Sequence, residues 1–388
     1  MKLRTVLVIT PVLVITSISI YIFTANGIDL QLKYTGIENA NTDLDFNKDL
    51  KESNSLSNTT GMVGNLSLKD NVDLIKQKNN SYTVAAVGDW GCNEDTDRTV
   101  ANIVDKNPDL VIGLGDYAYS PVADCWFEKI KPFQRIIKIA FGNHENKDGY
   151  HDDISMLFSS SNEKEYLEYF GLDKQYYSFD YGNIHFVIMS TEIPFGLGSD
   201  QYVKVNNDLR NATKNKKIDW IIVVNHRTTY PAEFFNYGTY HENKRINFDN
   251  KIGNEFRKIY HPLFDKYGVD LVLQAHVHNY QRTYPLKYNS INPEIPLITN
   301  YNDSDYLNPN GSIFLTVGTG GRSWQNMSPI HKFVYNVFDS TNNVNLGFGI
   351  ITLDFQKDGS SLRGTFYNND DLKKPEIGDR FTIKKLVD

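Results

Sequence analysis

Five short motifs in this sequence combine side chains that bind metal ions, and each follows an apolar, β-branched run. These runs span residues 83–87, 110–114, 136–140, 220–224 and 269–273. Carboxylate, amide, phenolate and imidazole groups delivered from several strand ends are the ligands that a paired metal centre requires. The pattern therefore indicates metal-assisted hydrolysis of phosphate esters. The five motifs are Gly88-Asp89-Trp90-Gly91, Gly115-Asp116-Tyr117-Ala118-Tyr119, Gly142-Asn143-His144-Glu145, Val224-Asn225-His226 and Ala275-His276-Val277-His278.

The second motif supplies the groups expected at the centre of such a site. A bridging ligand must be a carboxylate with two oxygens, and Asp116 fits because Tyr119 follows three residues later in the same loop. A phenolate oxygen is a hard, anionic donor that suits a trivalent ion such as Fe(III). Asp89 can complete the coordination of that ion with one carboxylate oxygen.

The later motifs supply neutral ligands. His276 and His278 are separated by one residue, so a single loop can reach both ions. Asn143 and His226 can provide an oxygen and a nitrogen for a second, divalent ion. Taken alone, Asp89 and His226 are better explained by a structural turn and a buried structural histidine, and the other motifs also have structural explanations. The metal interpretation depends on their joint occurrence, in this order, at strand ends.

The residues beside Asn143 indicate how such a reaction proceeds. Two ions about 3.5–4 Å apart clamp a phosphate group and lower the pKa of bound water, so that hydroxide attacks phosphorus in line with the leaving alkoxide. His144 is placed to bind the phosphate and to stabilise the charge that develops on it. We expect Glu145 to orient the His144 imidazole.

Strands and helices alternate from residue 82 onward, and they must position these motifs. After Asp89, Thr96 can cap a helix that stops at Asn107-Pro108-Asp109, and the next strand starts at Leu110. Strand–helix–strand units of this kind build parallel sheets. Two sheets packed on each other with helices outside are the simplest arrangement. The other predicted elements are strands at 176–181, 185–190, 313–317, 348–355 and 362–367, an exposed helix or lid at 158–168 and a long loop on the active-site side at 289–310.

The 388 residues divide into three predicted parts. Residues 1–26 contain a short basic segment and an apolar stretch just long enough to span a bilayer. We favour an uncleaved membrane anchor, and a signal peptide cleaved near Ala25 and Gly27 is the alternative. In either case the rest of the protein is exported. Residues 27–80 are polar and predict a flexible tether, and residues 81–388 form the predicted catalytic domain.

Composition limits the partners and indicates one covalent link. The net charge is −7, and no basic run stands out, so a nucleic-acid scaffold role has no support. The sequence does not indicate an oligomeric state. Cys92 and Cys125 are the two cysteines, and both lie in strand-end loops that carry predicted ligands. In an exported protein a disulfide between them is favoured over two unpaired thiols.

The five motifs together resemble the signature of the calcineurin-like metallophosphoesterase superfamily and, within it, the purple acid phosphatases. Tyr119, three residues after the second aspartate, is the mark of the purple acid group. The resemblance covers about residues 82–384 and implies an α/β fold, a four-layer α/β/β/α sandwich of two mixed β-sheets flanked by helices. It extends to the segments His276-Val277-His278-Asn279-Tyr280-Gln281-Arg282, Val317-Gly318-Thr319-Gly320-Gly321 and Phe381-Thr382-Ile383.

The resemblance also implies a cofactor and an activity. The cofactor is a pair of metal ions, Fe(III) plus a divalent ion (Fe, Zn or Mn), and the activity is hydrolysis of small-molecule phosphomonoesters, often in acid. A phosphodiesterase or nucleotide pyrophosphatase of the same superfamily is the alternative, and a non-catalytic surface binding protein is a remote one. By resemblance the ferric ligands are Asp89, Tyr119 and His278, the bridge is Asp116, and the divalent-ion ligands are Asn143, His226 and His276.

Three features depart from the family pattern. Ala275 stands where glycine is usual, so the turn there is expected to shift slightly. Plant-type enzymes carry an N-terminal β-sandwich domain, for which the polar tether is too short and too polar. The family also places a catalytic histidine about ten residues after the ligand that matches His226, where this chain has Phe235 and Asn236. His241 lies slightly later and is our candidate for that role, the alternative being an exposed loop histidine.

Overall fold

The chain divides into two compact units, Met1–Leu66 and Ser67–Asp388. The computed structural model describes residues 17–22, 30–35, 80–146, 162–230, 240–323, 347–370 and 377–386, with the backbone alone for 17–22, 30–35 and 240–251.

The first unit contains two described strands, β1 (Ser17–Ile22) and β2 (Leu30–Thr35), which pair antiparallel. β1 lies in the predicted apolar segment and β2 in the predicted tether, so part of each is strand. Within the described ranges, no helix has the length and apolar character needed to cross a membrane. The remainder of residues 1–79 lies outside the described residues, and the anchor and the tether stay predictions.

The second unit contains two mixed sheets and a short antiparallel pair. In chain order its strands are β3 (Ser81–Val87), β4 (Leu110–Gly113), β5 (Ile137–Ile139), β6 (Tyr177–Tyr181), β7 (Ile184–Ile188), β8 (Trp220–Val224), β9 (Leu271–Gln274), β10 (Tyr280–Arg282), β11 (Leu286–Lys287), β12 (Leu297–Ile298), β13 (Asp305–Leu307), β14 (Ile313–Val317), β15 (Gly349–Gln356), β16 (Ser361–Asn368) and β17 (Ile377–Lys384).

Both large sheets combine parallel and antiparallel pairs. One sheet has seven strands in the order β13-β17-β16-β15-β3-β4-β5, and the other has six in the order β10-β14-β9-β8-β7-β6. Strands β3, β4 and β5 are parallel to one another, as are β7, β8, β9 and β14. Parallel neighbours end at the same edge of a sheet, which brings their carboxyl-end loops together.

Five helices accompany the sheets in the described part of the second unit. The first begins after Asn93, whose side chain accepts a hydrogen bond from the Thr96 backbone N–H at 3.0 Å. The prediction that Thr96 caps this helix was therefore wrong by three residues. The Thr96 hydroxyl instead donates to the Trp90 carbonyl oxygen at 2.7 Å. The helices are α1 (Glu94–Lys106), α2 (Asp124–Lys129), α3 (Glu163–Phe170), α4 (Asp200–Lys214) and α5 (Tyr240–Tyr267).

The two faces of the six-stranded sheet have different neighbours because side chains alternate along a strand. In β8, Trp220, Ile222 and Val224 belong to the core shared with the seven-stranded sheet. Ile221 and Val223 point the other way and pack in a second core with residues of α4 and α5. Helix α1 packs on β15 of the seven-stranded sheet. The predicted α/β sandwich of two mixed sheets flanked by helices is confirmed.

Most predicted strands match observed ones within one or two residues, but two predicted segments differ. The predicted long loop at 289–310 contains β12 and β13, and β13 joins the edge of the seven-stranded sheet. The helix predicted at 158–168 is α3, which starts at Glu163 and buries Tyr166. Residues 158–161 lie outside the described residues.

The predicted disulfide is confirmed, since Cys92 and Cys125 are bonded across 33 residues of sequence. Cys92 lies between β3 and α1, and Cys125 lies in the first turn of α2. The bond therefore joins the loop that carries Asp89 to the segment that follows Tyr119.

Candidate metal centre

The residues predicted to bind metal come together at the carboxyl ends of strands from both sheets. Three motifs follow β3, β4 and β5 of the seven-stranded sheet, and two follow β8 and β9 of the six-stranded sheet. The predicted ligands are all buried except Tyr119, which is partly exposed.

One half of the centre contains Asp89, Tyr119 and His278. The Tyr119 hydroxyl donates to Asp89 Oδ1 at 2.8 Å and lies 3.1 Å from His278 Nε2, which is itself 3.3 Å from Asp89 Oδ1. His278 Nδ1 donates to the Ser323 carbonyl oxygen at 2.7 Å. Because that bond fixes the tautomer, Nε2 of His278 is left as the atom that faces the other two groups.

The other half contains Asp116, His226 and His276, whose possible ligand atoms all lie within 4.8 Å of one another. His226 Nε2 is 3.3 Å from Asp116 Oδ2 and 3.2 Å from His276 Nδ1. His226 Nδ1 donates to the Leu114 carbonyl oxygen at 2.8 Å, which leaves Nε2 for the centre. Asp116 Oδ2 also lies 3.3 Å from the Tyr119 hydroxyl, so this carboxylate stands between the two halves.

Asn143, the predicted ligand that follows β5, adds a buried amide oxygen to the donor set. Its side-chain oxygen is buried and has no hydrogen-bond partner among the described residues. A buried polar atom without a partner costs about 1–3 kcal/mol. A bound cation would satisfy that oxygen, and an amide oxygen suits a divalent ion. The buried donors described here therefore fit two metal ions.

Backbone strain is concentrated at the same place. Six non-glycine residues of the described chain have positive φ, and four of them are predicted ligands. A non-glycine residue in this conformation costs about 1–3 kcal/mol, and such strain collects at functional sites. The four strained ligands are Asp89 (φ 57°), Asp116 (φ 56°), Tyr119 (φ 51°) and His276 (φ 72°).

The substitution of alanine for the usual glycine at position 275 is accommodated. The left-handed conformation falls on His276, and Ala275 is absent from the residues with positive φ. The Ala275 methyl group lies beside Gly88, where an added Cβ would come within 2.6 Å of it. The turn thus tolerates a methyl at position 275 because position 88 has none.

Glu145 has a different role from the one predicted. Its buried carboxylate accepts backbone N–H groups of Asp116 at 2.8 Å, Tyr117 at 2.8 Å and Gly142 at 2.9 Å, which engages both oxygens. Burial, followed by the negative charge of Asp116, raises the pKa of Glu145 to about 8. Glu145 therefore braces the loop that carries the predicted bridging carboxylate.

His144 lies at the open side of the centre. Its side chain is 26% exposed, and Nε2 is 3.9 Å from Asp116 Oδ2. The His144 backbone N–H donates to Asp116 Oδ1 at 2.9 Å, and its ring centroid is 4.2 Å from that of Tyr119. A partly exposed imidazole beside buried ligands can reach a bound substrate. The other predicted catalytic group, the His241 side chain, lies outside the described residues, as do Phe235 and Asn236, although the His241 backbone is in α5.

The electrostatics favour an ionised central carboxylate. Burial alone would raise the pKa of Asp116, but His226 and then His144 outweigh burial and hold this pKa well below its usual value. In return, Asp116 overcomes burial and raises the pKa of His226 to about 10. These two shifts have the directions expected when a protonated His226 faces an ionised Asp116. A metal ion that binds here must displace a proton.

A buried ion pair next to His276 was missed by sequence reasoning. Arg227 Nε donates to Glu192 Oε1 at 2.8 Å, and one terminal nitrogen of Arg227 donates to Glu192 Oε2 at 3.1 Å. The other terminal nitrogen is 3.4 Å from His276 Nε2. Glu192 follows β7, and its carbonyl oxygen accepts from the Asn146 side chain at 2.8 Å. The same strand-end rule that found the ligands could have found Glu192.

Comparison with known proteins agrees with this geometry. A family model described as calcineurin-like phosphoesterase matches residues 82–280. Acid phosphatase type 7 of Mus musculus is 31% identical over 232 residues, which are 55% of this chain and 48% of that protein. Purple acid phosphatase 21 of Arabidopsis thaliana is 28% identical over 246 residues, which are 61% of this chain and 49% of that protein. Other relatives from that plant are named probable inactive purple acid phosphatases.

The fold comparison gives a similar result. A purple acid phosphatase from yellow lupin (Lupinus luteus) seeds aligns with a TM-score of 0.63 at 24% identity, covering 79% of this chain and 54% of that chain. This chain spans about half the length of the curated relatives above. The family model matches more than half of the 388 residues, including motifs from both sheets. The chain belongs to the calcineurin-like phosphoesterase family.

Proposed function

We propose that this protein is a phosphatase that hydrolyses small-molecule phosphomonoesters with a pair of metal ions, as acid phosphatases do. The observation that carries the proposal is the convergence of predicted ligands from both sheets, in which Asp116, His226 and His276 offer ligand atoms within 4.8 Å of one another. The named activities of the relatives support the same reaction class.

The two halves of the centre suggest which residues hold which ion. Asp89, Tyr119 and His278 include two anionic oxygen donors, which suit Fe(III). Asp116 would serve both ions, because its Oδ2 lies 3.3 Å from the Tyr119 hydroxyl and 3.3 Å from His226 Nε2. Neutral amide and imidazole donors suit a divalent ion, Fe, Zn or Mn. In this assignment the ligands of the divalent ion are Asn143, His226 and His276.

The side chains around the ions have separate tasks. When bound, the ions supply Lewis acidity toward the phosphate and a water of lowered pKa. His144, partly exposed beside Asp116, would donate a hydrogen bond to a phosphoryl oxygen and stabilise the charge that develops there. Glu145 holds the loop that bears Asp116 through its three backbone N–H contacts. His241 is the candidate proton donor to the leaving alkoxide.

The test is hydrolysis of p-nitrophenyl phosphate by the full chain, with metal analysis, for wild type, Asp116→Asn and Asp105→Asn. Asp105 is a matched control on α1 whose side chain is 49% exposed. We expect Asp116→Asn to lower kcat/KM by more than about 100-fold and to lose metal, since even indirect ligand partners cost 10- to 100-fold. Asp105→Asn should match wild type. Equal activity of the two variants would overturn the proposal. If wild type hydrolyses bis(p-nitrophenyl) phosphate faster than p-nitrophenyl phosphate, the phosphodiesterase alternative is favoured instead.

We also propose that the protein is exported and faces the outside of the membrane or is secreted. The disulfide between Cys92 and Cys125 supports export, because such bonds persist in oxidising compartments and are rare in the cytosol. Fractionation of cells that produce the full chain, with non-reducing electrophoresis of each fraction, tests this. An intracellular, fully reduced protein would contradict it.

A further inference from the structure

The segment 318–323, which follows β14, is held tightly against the first half of the centre. The backbone N–H of Gly320 donates to the Gly88 carbonyl oxygen at 2.9 Å, and that of Arg322 donates to the Asp89 carbonyl oxygen at 2.9 Å. A Cβ added at Gly318 would lie 2.1 Å from the Val277 carbonyl oxygen. The segment can take this path only because glycine occupies the crowded position. Its backbone therefore places Arg322 in a defined position.

The Arg322 side chain lies over a predicted metal ligand. Its guanidinium carbon is 4.5 Å from the centroid of the Tyr119 ring, and the residue is exposed. The His144 ring lies against the same tyrosine, 4.2 Å between centroids. Arginine stays protonated at any physiological pH and presents planar, paired donors that match carboxylate and phosphate oxygens. Tyr119 thus has a permanent positive charge over its ring and also contacts the His144 ring.

The Arg322 guanidinium and the predicted metal ligands lie at different parts of the Tyr119 side chain. The ligand atoms of Asp89, Asp116 and His278 gather at the Tyr119 hydroxyl, whereas Arg322 lies over the ring. A phosphate held by the ions and His144 would leave the guanidinium available for a neighbouring part of the substrate. A guanidinium forms stronger hydrogen bonds with a carboxylate or phosphate group than with a neutral acceptor.

We propose that Arg322 is a specificity-determining residue that selects phosphomonoesters carrying a second anionic group, a carboxylate or a phosphate, close to the scissile phosphate. This inference rests on the proposed phosphatase function. The second anionic group pairs with the guanidinium in both the bound substrate and the transition state. Loss of this contact should therefore raise KM more than it lowers kcat.

The test uses two substrates that differ only in the second group, 3-phosphoglycerate and glycerol 3-phosphate. Their kcat and KM are measured with wild type, Arg322→Gln, Arg322→Lys and the control Arg210→Gln, an exposed arginine of α4 that contacts Asn207. We expect Arg322→Gln to lower kcat/KM for 3-phosphoglycerate about three- to fivefold more than for glycerol 3-phosphate, the upper part of the range of about 1.4- to fivefold for an exposed charge pair. Arg322→Lys should keep part of the preference, and Arg210→Gln should keep all of it.

The outcomes separate this inference from the function on which it rests. Equal losses for the two substrates in Arg322→Gln would overturn the role of Arg322 and leave the phosphatase intact. If wild type hydrolyses neither of these substrates nor p-nitrophenyl phosphate, the proposed function fails, and calorimetric binding of the same two compounds still decides the inference. Tighter binding of 3-phosphoglycerate than of glycerol 3-phosphate by wild type, lost in Arg322→Gln, would support the inference. Equal binding of the two compounds by wild type would overturn it. Added salt should weaken the preference, because an exposed pair is screened.

Discussion

Asp116 Oδ2 and His226 Nε2 lie 3.3 Å apart, although Asp116 follows β4 of the seven-stranded sheet and His226 follows β8 of the six-stranded sheet. The predicted bridging carboxylate and a ligand of the second ion thus come from different sheets. The spacing of the centre therefore depends on how the sheets are held against each other. Contacts that join the sheets should affect metal binding from a distance.

One such contact is the buried pair of Arg282 in β10 and Asp379 in β17. Arg282 Nε donates to Asp379 Oδ2 at 2.7 Å and a terminal nitrogen donates to Oδ1 at 3.0 Å, and the Tyr280 hydroxyl also donates to Asp379. Arg282→Met leaves a buried, uncompensated carboxylate, so we expect a loss of about 3–5 kcal/mol in the free energy of unfolding. Urea denaturation measures it.

The matched control for that pair is Arg98→Met. Arg98 pairs with Asp95 on the surface of α1 and its side chain is 57% exposed. Its removal should cost at most about 1 kcal/mol. Similar losses for Arg98→Met and Arg282→Met would show that the buried pair does not hold the sheets together.

Gly318→Ala should damage the metal centre directly. The added methyl group would lie 2.1 Å from the Val277 carbonyl oxygen and 2.6 Å from Asp89 Oδ2. Overpacking of this kind costs about 1–3 kcal/mol, and here it also displaces a predicted ligand. We expect a lower melting temperature and less bound metal. Gly196→Ala is the control, because nothing lies within 4 Å of a Cβ there, and both quantities should match wild type.

Removal of the disulfide should destabilise the domain. Cys92 and Cys125 are 33 residues apart, and closing a loop of that size stabilises a fold by about 3–4 kcal/mol in the chain-entropy model. The double variant Cys92→Ser, Cys125→Ser should lower the free energy of unfolding by up to this amount. It should also release metal faster to a chelator, since the bond braces the loop of Asp89. An unchanged rate of metal release would show that the disulfide does not stabilise the metal centre.

His185 should make stability depend on pH. It joins β7 to α4, with Nδ1 2.6 Å from Asp180 Oδ1 and Nε2 3.1 Å from Asp208 Oδ2. Burial lowers the pKa of His185, but the bonds to Asp208 and Asp180 outweigh burial and raise this pKa above 6.5. For Asp208, burial raises the pKa, and the bond to His185 outweighs it and lowers this pKa below 3.8.

The sign of the pH effect follows from these two shifts. The raised pKa of His185 contributes stability that is fully present below pH 6.5 and is lost as pH rises through the folded value. The lowered pKa of Asp208 contributes stability that is present above pH 3.8 and is lost as pH falls. The difference in unfolding free energy between wild type and His185→Gln should therefore be largest from pH 3.8 to 6.5. A difference that is constant from pH 3 to about 9 would contradict this prediction.

Local patterns in the sequence were sufficient to predict the parts of the fold that local forces decide. The strands around the centre were predictable because apolar, β-branched runs end at polar motifs, and β14 matches its predicted range, 313–317. The cap of α1 was misplaced because Asn93 and Thr96 both suit the position. β13 was missed because its three residues gain their order from pairing with β17, which lies far away in sequence.

The site showed the same division between local and distant effects. The joint pattern of motifs predicted which side chains would meet, since parallel strands bring their ends to one edge. The task of Glu145 was not predictable, because it depends on where the backbone N–H groups of another loop point. The pair Arg227 and Glu192 was also missed, because 35 residues separate its members and their contact exists only in the folded chain.

The proposed assignment of Asp89, Tyr119 and His278 to a ferric ion beside a second, divalent ion has a spectroscopic test. The most direct measurement is the visible absorption spectrum of the purified full chain with metal analysis, compared with that of Tyr119→Phe. We expect one iron and one divalent ion per chain and a broad visible band from the ferric–phenolate bond, which Tyr119→Phe abolishes. A colourless protein that holds two divalent ions, with a spectrum unchanged by Tyr119→Phe, would contradict it.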